Sequence, residues 1–152
     1  MILSRWLKRL FDKLLPNAPG QRRTVAPPIH TQDSIKKYGF IYSDEVLSPD
    51  GTVKVIYGYN DGEKGPVTIE PRIVDVATGE VLVDLWRNWC QGSVEFLEPR
   101  QLRIKVKDAY ARVLICEAEI DLDAREFVLT SNPDRREPLT NFRERMMKLR
   151  RL

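Results

Sequence analysis

Ser48-Pro49-Asp50-Gly51-Thr52-Val53-Lys54-Val55-Ile56-Tyr57-Gly58-Tyr59 reads as a turn that feeds a strand, and it decides the fold class. Proline presets φ at the first turn position, and Gly51 accepts the left-handed backbone that follows. From Thr52 to Tyr59 the side chains alternate, with Val53, Val55, Tyr57 and Tyr59 on one face. That period of two belongs to a strand with one side in a core.

The pattern repeats on both sides. Tyr38–Leu47 precedes the turn, and a polar loop over 60–65 leads to Val67–Val76. Pro71 inside that run predicts an edge strand or a bulge, because proline cannot donate to a ladder. Ala77-Thr78-Gly79 is a hairpin turn before Glu80–Trp86, in which Val81, Val83 and Leu85 share a face. Val94–Leu97, Leu102–Val106, Val113–Ile120 and Glu126–Leu129 follow. The prediction is a mainly β protein, an antiparallel meander of about eight short strands over 29–133, forming a curved sheet or a small barrel.

Both ends differ from this body. Residues 1–15 place Leu3, Trp6, Leu7, Leu10, Phe11 and Leu14 at helical spacing, with Arg5, Lys8, Arg9 and Lys13 on the other side. Charges at 5, 8, 9, 12 and 13 interrupt every apolar run, so neither a secretory signal nor a membrane span fits. Trp6, Leu7, Leu10 and Phe11, with the four basic residues, are candidates for docking on an anionic membrane surface, on a partner or on the chain's own sheet. Residues 16–28 (PNAPGQRRTVAPP) read as a proline-rich linker. Residues 134–152 read as a basic helix or tail, with Asn141 and Glu144 as a capping pair and Phe142, Met146 and Leu149 on one face. A helix this short needs something to pack against.

Charge follows the same division. Residues 1–23 hold six Lys/Arg and one Asp, and residues 134–152 hold seven Lys/Arg and three acids, while the stretch between carries 12 bases and 18 acids. An acidic body with basic ends bears on partners rather than on fold. It disfavours specific nucleic-acid binding by the sheet, since an acidic surface repels phosphates. Cys90 and Cys116 lack CxxC spacing, and Cys116 sits in an apolar strand pattern as a small hydrophobe.

Ser48-Pro-Asp-Gly51, Arg72-Ile-Val-Asp75, Thr78-Gly-Glu80, Leu82-Val-Asp-Leu85, Trp89, Val94-Glu-Phe96, Leu102-Arg-Ile104 and Glu119-Ile-Asp-Leu-Asp123 together resemble small bacterial β-sheet proteins of uncharacterised function. The resemblance spans 40–129 and implies a bacterial curved-sheet protein. It implies no activity, and it leaves out both terminal helices.

Chemistry-bearing motifs are few. The sole histidine, His30, lies in or just after the proline-rich linker, a flank that would not hold it between a carboxylate and a nucleophile as catalysis requires. No GxGxxG, GxxxxGK[ST], HExxH or GxSxG occurs. Asp121 and Asp123 begin like a calcium loop, but Ala124, Arg125 and the missing glycine break it, which leaves a strand end and a turn. Glu95, Glu98, Glu117 and Glu119 could line one sheet face as a carboxylate-only hydrolase would require. A hairpin over 108–112 would instead set Arg103 near Glu117 and Lys105 near Ile115, an ion-paired face worth about 0.2–1 kcal/mol per pair. Trp86-Arg87-Asn88-Trp89 is the cluster of greatest interest. Trp86, Arg87 and Trp89 have the composition of an interface anchor, or else they cap the core.

The sequence therefore predicts a non-enzymatic protein-binding module with no cofactor, no metal and no catalytic residues. Its concrete form is an inhibitor or immunity-type protein with an acidic sheet face that binds another protein. A peripheral membrane protein tethered by residues 1–15 is the alternative, and a carboxylate-only hydrolase comes third. The expected location is the cytoplasm, or the inner face of the membrane.

Overall fold

The computed structural model describes residues 23–24, 40, 42–62 and 65–152. The amphipathic stretch 1–15 with its docking candidates, most of the 16–28 linker, and His30 lie outside the described residues.

In chain order the elements are β1 (Arg23–Thr24), β2 (Tyr42–Leu47), β3 (Val53–Asp61), β4 (Val67–Asp75), β5 (Val81–Asp84), β6 (Cys90–Glu98), β7 (Gln101–Asp108), β8 (Leu114–Asp121), β9 (Glu126–Leu129) and β10 (Arg136–Pro138). A 3-10 turn, Leu139–Asn141, leads into the helix α1 (Phe142–Arg150). The strands adjoin in the order β1-β2-β3-β4-β6-β7-β8-β9-β10, with β5 attached to the side of β4. Each strand inferred from alternation corresponds to one of β2 to β9. The Ser48–Gly51 turn closes β2 onto β3 through the Gly51 N–H to Ser48 carbonyl bond at 2.9 Å, with Gly51 at φ 73°.

Three expectations need correction. The sheet is mixed, not a pure antiparallel meander, and it does not close into a barrel. The cause lies at β4. The four-residue β5 pairs antiparallel with β4 only over Arg72–Val74. The chain then reverses, and β6 joins the other half of the same edge in parallel, Ile69 opposite Gln91. Pro71 is consequently neither on an edge strand nor at the observed bulge, which falls between Ile73 and Val74. It sits in a strand with neighbours on both sides, at the point where the edge passes from β6 to β5. A residue without an N–H is tolerated there because Pro71 turns its backbone toward the β5/β6 edge, where its carbonyl accepts the Leu85 N–H at 3.1 Å and no continuous ladder runs past it. Finally, Arg23–Thr24, inside the predicted linker, pairs with Val46 and Glu45 of β2.

Because β5 occupies half of the β4 edge, β6 diverges beyond Gln91, and the core fills the space between β2–β5 and β6–β10. Val53, Val55 and Tyr57 of β3 share this core with Leu102, Ile104 and Val106 of β7 and Ala118 and Ile120 of β8. The Tyr57 hydroxyl accepts the Val94 N–H of β6 at 3.1 Å, which ties the two halves together. Helix α1 packs against β8 and β5. It contributes Phe142 and Met146, both buried, and the Phe142 ring meets Phe127 edge-on at 5.1 Å between centroids. The carboxyl-terminal helix is therefore part of the core. The Asn141 side chain makes no cap bond, since the preceding 3-10 turn already holds its backbone in the helical region. Among the described residues no helix is long and apolar enough to cross a membrane.

Candidate interaction site

The reversal between β5 and β6 is the Trp86–Trp89 segment, and its geometry depends on Glu70 of β4. Glu70 is 2% exposed, and its carboxylate accepts the N–H of Arg87 at 2.6 Å and of Trp89 at 2.7 Å. Arg87 and Trp89 both adopt left-handed backbone, φ 65° and 52°. Non-glycine residues enter that region at a cost of roughly 1–2 kcal/mol each, and two charge-assisted bonds to a buried carboxylate offset it. Burial pushes the Glu70 carboxyl above its ordinary range, opposed by the N–H groups of Arg87, Trp89 and Cys90 and by the Arg150 charge.

Helix α1 holds the same turn from the other side. Arg150 donates to the Asn88 carbonyl, to the Trp89 carbonyl at 2.5 Å, and to the Asp108 carboxylate at 2.5 Å. Arg143 reaches the Asn88 side-chain oxygen at 3.3 Å. Asp108 also accepts the N–H of Tyr110 at 2.8 Å and of Ala111 at 2.7 Å, shaping the β7–β8 turn. A single guanidinium thus links the β5–β6 and β7–β8 turns.

The three candidates in this segment separate. Trp86 is 3% exposed and packs in a second cluster with Phe40, Ile56 and Val74. Its indole N–H donates to the Ile56 carbonyl at 3.3 Å, and the Arg72 guanidinium lies 3.7 Å from the ring centroid. Arg87 and Trp89 face outward. Trp89 is 44% exposed, and its ring lies 6.1 Å from that of Tyr110, which is 67% exposed. Gly65 of the β3–β4 loop borders both, so three loops at one end of the sheet converge on an aromatic pair. The hairpin that carries Tyr110 also exposes Val113 and Leu114. Tyr110 and Glu70 escaped the sequence reading. The only local hints were an aromatic at a turn tip and a lone acid within the Val67–Ile73 run.

The acidic face is arranged differently from its sequence reading. Arg103 stands opposite Glu119, and Lys105 opposite Glu117. The two-residue offset from the predicted pairing has two sources: the turn closes one residue later than expected, through the Asp108 N–H to Val113 carbonyl bond at 2.9 Å, and the ladder then skips Ile115, with Val106 opposite Cys116 but Lys107 opposite Leu114. Arg103 lies 2.8 Å from Glu119, 3.6 Å from Glu117 and 3.6 Å from Glu95, and Lys105 lies 3.7 Å from Glu117. Glu98 is apart from this group, opposite Gln101. Asp121 accepts the N–H of Asp123 and Ala124 in the β8–β9 turn, while Asp123 pairs with Arg100 at 2.5 Å.

No protein-family model matches the chain, and no curated protein or solved structure shows significant similarity to it.

Proposed function

We propose that this chain is a non-enzymatic protein-binding module whose anchor is the Trp89–Tyr110 pair. The observation that carries this reading is a tryptophan exposed at 44% on a turn that Glu70 and Arg150 hold from two sides. A turn held in place before binding loses little conformational freedom on contact. Tryptophan and tyrosine supply large contact area and dominate interface energetics. The inhibitor or immunity-type form, with an acidic face filling a basic cleft, has less support, because Arg103 and Lys105 stand among Glu95, Glu117 and Glu119.

The test is affinity capture from native host lysate with the full chain and with a Trp89→Ala/Tyr110→Ala double variant of matched thermal stability. Proteins retained by the wild type and lost from the variant support the reading. Identical retained sets, or no retained protein, overturn it.

A further inference from the structure

The Trp89 turn owes its shape to one buried carboxylate, and that carboxylate can lose its charge. We propose that Glu70 is a proton-operated latch: ionised, it holds the Arg87 and Trp89 amides and so fixes the Trp89–Tyr110 pair; protonated, it releases the turn. The functional consequence, acid-dependent display of the anchor, rests on the binding reading above.

Three observations carry the latch. The two N–H bonds at 2.6 and 2.7 Å use both carboxylate oxygens, one each. A protonated carboxyl keeps one full acceptor, and its hydroxyl would confront an N–H. The residues it holds are the two left-handed non-glycine positions of the turn, so the segment has conformational strain to shed on release. Burial also disfavours the charge at Glu70, so protonation begins closer to neutrality than for an ordinary glutamate.

The groups around Glu70 do not duplicate this response. On its own face of β4, Arg72 is bonded to Asp84 at 2.9 Å. From α1 comes Arg150, already engaged with Asp108 of β7 at 2.5 Å. From β6 comes the Cys90 thiol, pushed far up by burial and hence neutral throughout. Gly58, opposite Glu70 on β3, carries no charge. The Asp108 carboxyl is held below its usual range by the Ala111 N–H and Arg150, so it stays ionised when Glu70 takes up a proton.

The sign of the linkage separates unlatching from unfolding. A carboxyl whose folded pKa is raised contributes stability below its unfolded value, and that contribution is lost as pH rises through the folded value. Protonating Glu70 therefore loosens the turn without destabilising the fold.

The experiment is an amide NMR titration with hydrogen exchange on the full chain between pH 7.5 and about 4, beside thermal melts. The expected result is that the Arg87 and Trp89 amides shift together with the Glu70 carboxyl carbon, with a midpoint above the ordinary 4.5. Their exchange, corrected for intrinsic rates, rises about tenfold or more, as expected for loss of charge-assisted bonds, with no fall in Tm over that range. Glu70→Gln should show the acid-side behaviour at pH 7 and no transition. Amides that stay unmoved to pH 4.5, or move only with global unfolding, overturn the proposal, as does a transition that persists in Glu70→Gln. If that variant does not fold, the wild-type titration decides alone. These readouts need no partner, so failure of the latch and failure of the binding reading are distinguishable.

Discussion

Pro71 and Gly92 pack so closely that a β-carbon built on Gly92 would fall 2.6 Å from the Pro71 Cδ. The proline ring occupies the notch where β6 leaves the β4 edge, and only a residue without a side chain fits opposite it. Gly92→Ala should cost about 1–3 kcal/mol, the range for overpacking a close-packed site. Urea unfolding with an unchanged m-value would register it; a variant as stable as wild type would mean that the seam yields.

Helix α1 belongs to the core through Phe142 and Met146. Phe142→Ala should cost about 3–5 kcal/mol and Met146→Ala about 2–5, through lost burial and the cavities left behind. Chemical denaturation measures both. Losses below about 0.5 kcal/mol would make the segment a dispensable tail. Lys148, in contrast, forms only an exposed pair with Glu144 among the described residues, and its replacement by alanine should move stability by less than about 0.5 kcal/mol.

Arg112 adopts φ 57° in the exposed β7–β8 turn. Arg112→Gly should raise stability by about 0.5–1 kcal/mol, because glycine enters the left-handed region freely, although it costs more unfolded-state entropy. A lowered Tm would assign a structural contact to the arginine side chain.

How much of this was legible beforehand follows from where each decision is made. Strands β2 to β9 could be read because each has one face inside, and alternation such as Val53-Val55-Tyr57-Tyr59 records that locally. β10 could not, since Arg136-Glu137-Pro138 has no apolar alternation. The parallel seam was hidden because it depends on β5 stopping after four residues, which nothing in Val81–Asp84 announces. The β7–β8 register moved by two residues, one from the turn closing at Val113 and one from the skipped Ile115. At the site, Trp89 stood out as an aromatic beside Arg87. Its meeting with Tyr110, and Glu70's hold on its backbone, are made by residues 19 to 21 positions away in either direction, and only the fold brings them together.

Stability should pass through a maximum on the acid side of neutrality. The Thr78 N–H holds the Asp75 carboxyl low, Arg125 does so for Glu80, and the Ala111 N–H for Asp108. Each contributes stability above its unfolded value, near 3.8 for Asp and 4.5 for Glu, that is lost as pH falls through its folded value. Glu70 acts in the opposite sense, losing its contribution as pH rises through its raised folded value. Calorimetry from pH 3 to 8 should show Tm falling as pH drops below the unfolded carboxyl values of 3.8 and 4.5, and declining as pH rises from 4.5 through the raised Glu70 value; a monotonic rise to pH 8 would contradict the assignment of Glu70.

Neither cysteine should react in the folded state. Both are buried free thiols, and burial pushes Cys116 up to about 12 and Cys90 higher still. Since the thiolate is the nucleophile, a thiol-reactive disulfide reagent should label neither until denaturant is added, and then both.

One border of the sheet is β10, a three-residue strand of Arg136, Glu137 and Pro138 that pairs with β9 alone among the described residues. A brief, charged margin ending in an imino acid is a poor template for a foreign strand. On that side the molecule is protected from growing into ribbons, and crowding many copies together should not recruit them strand by strand.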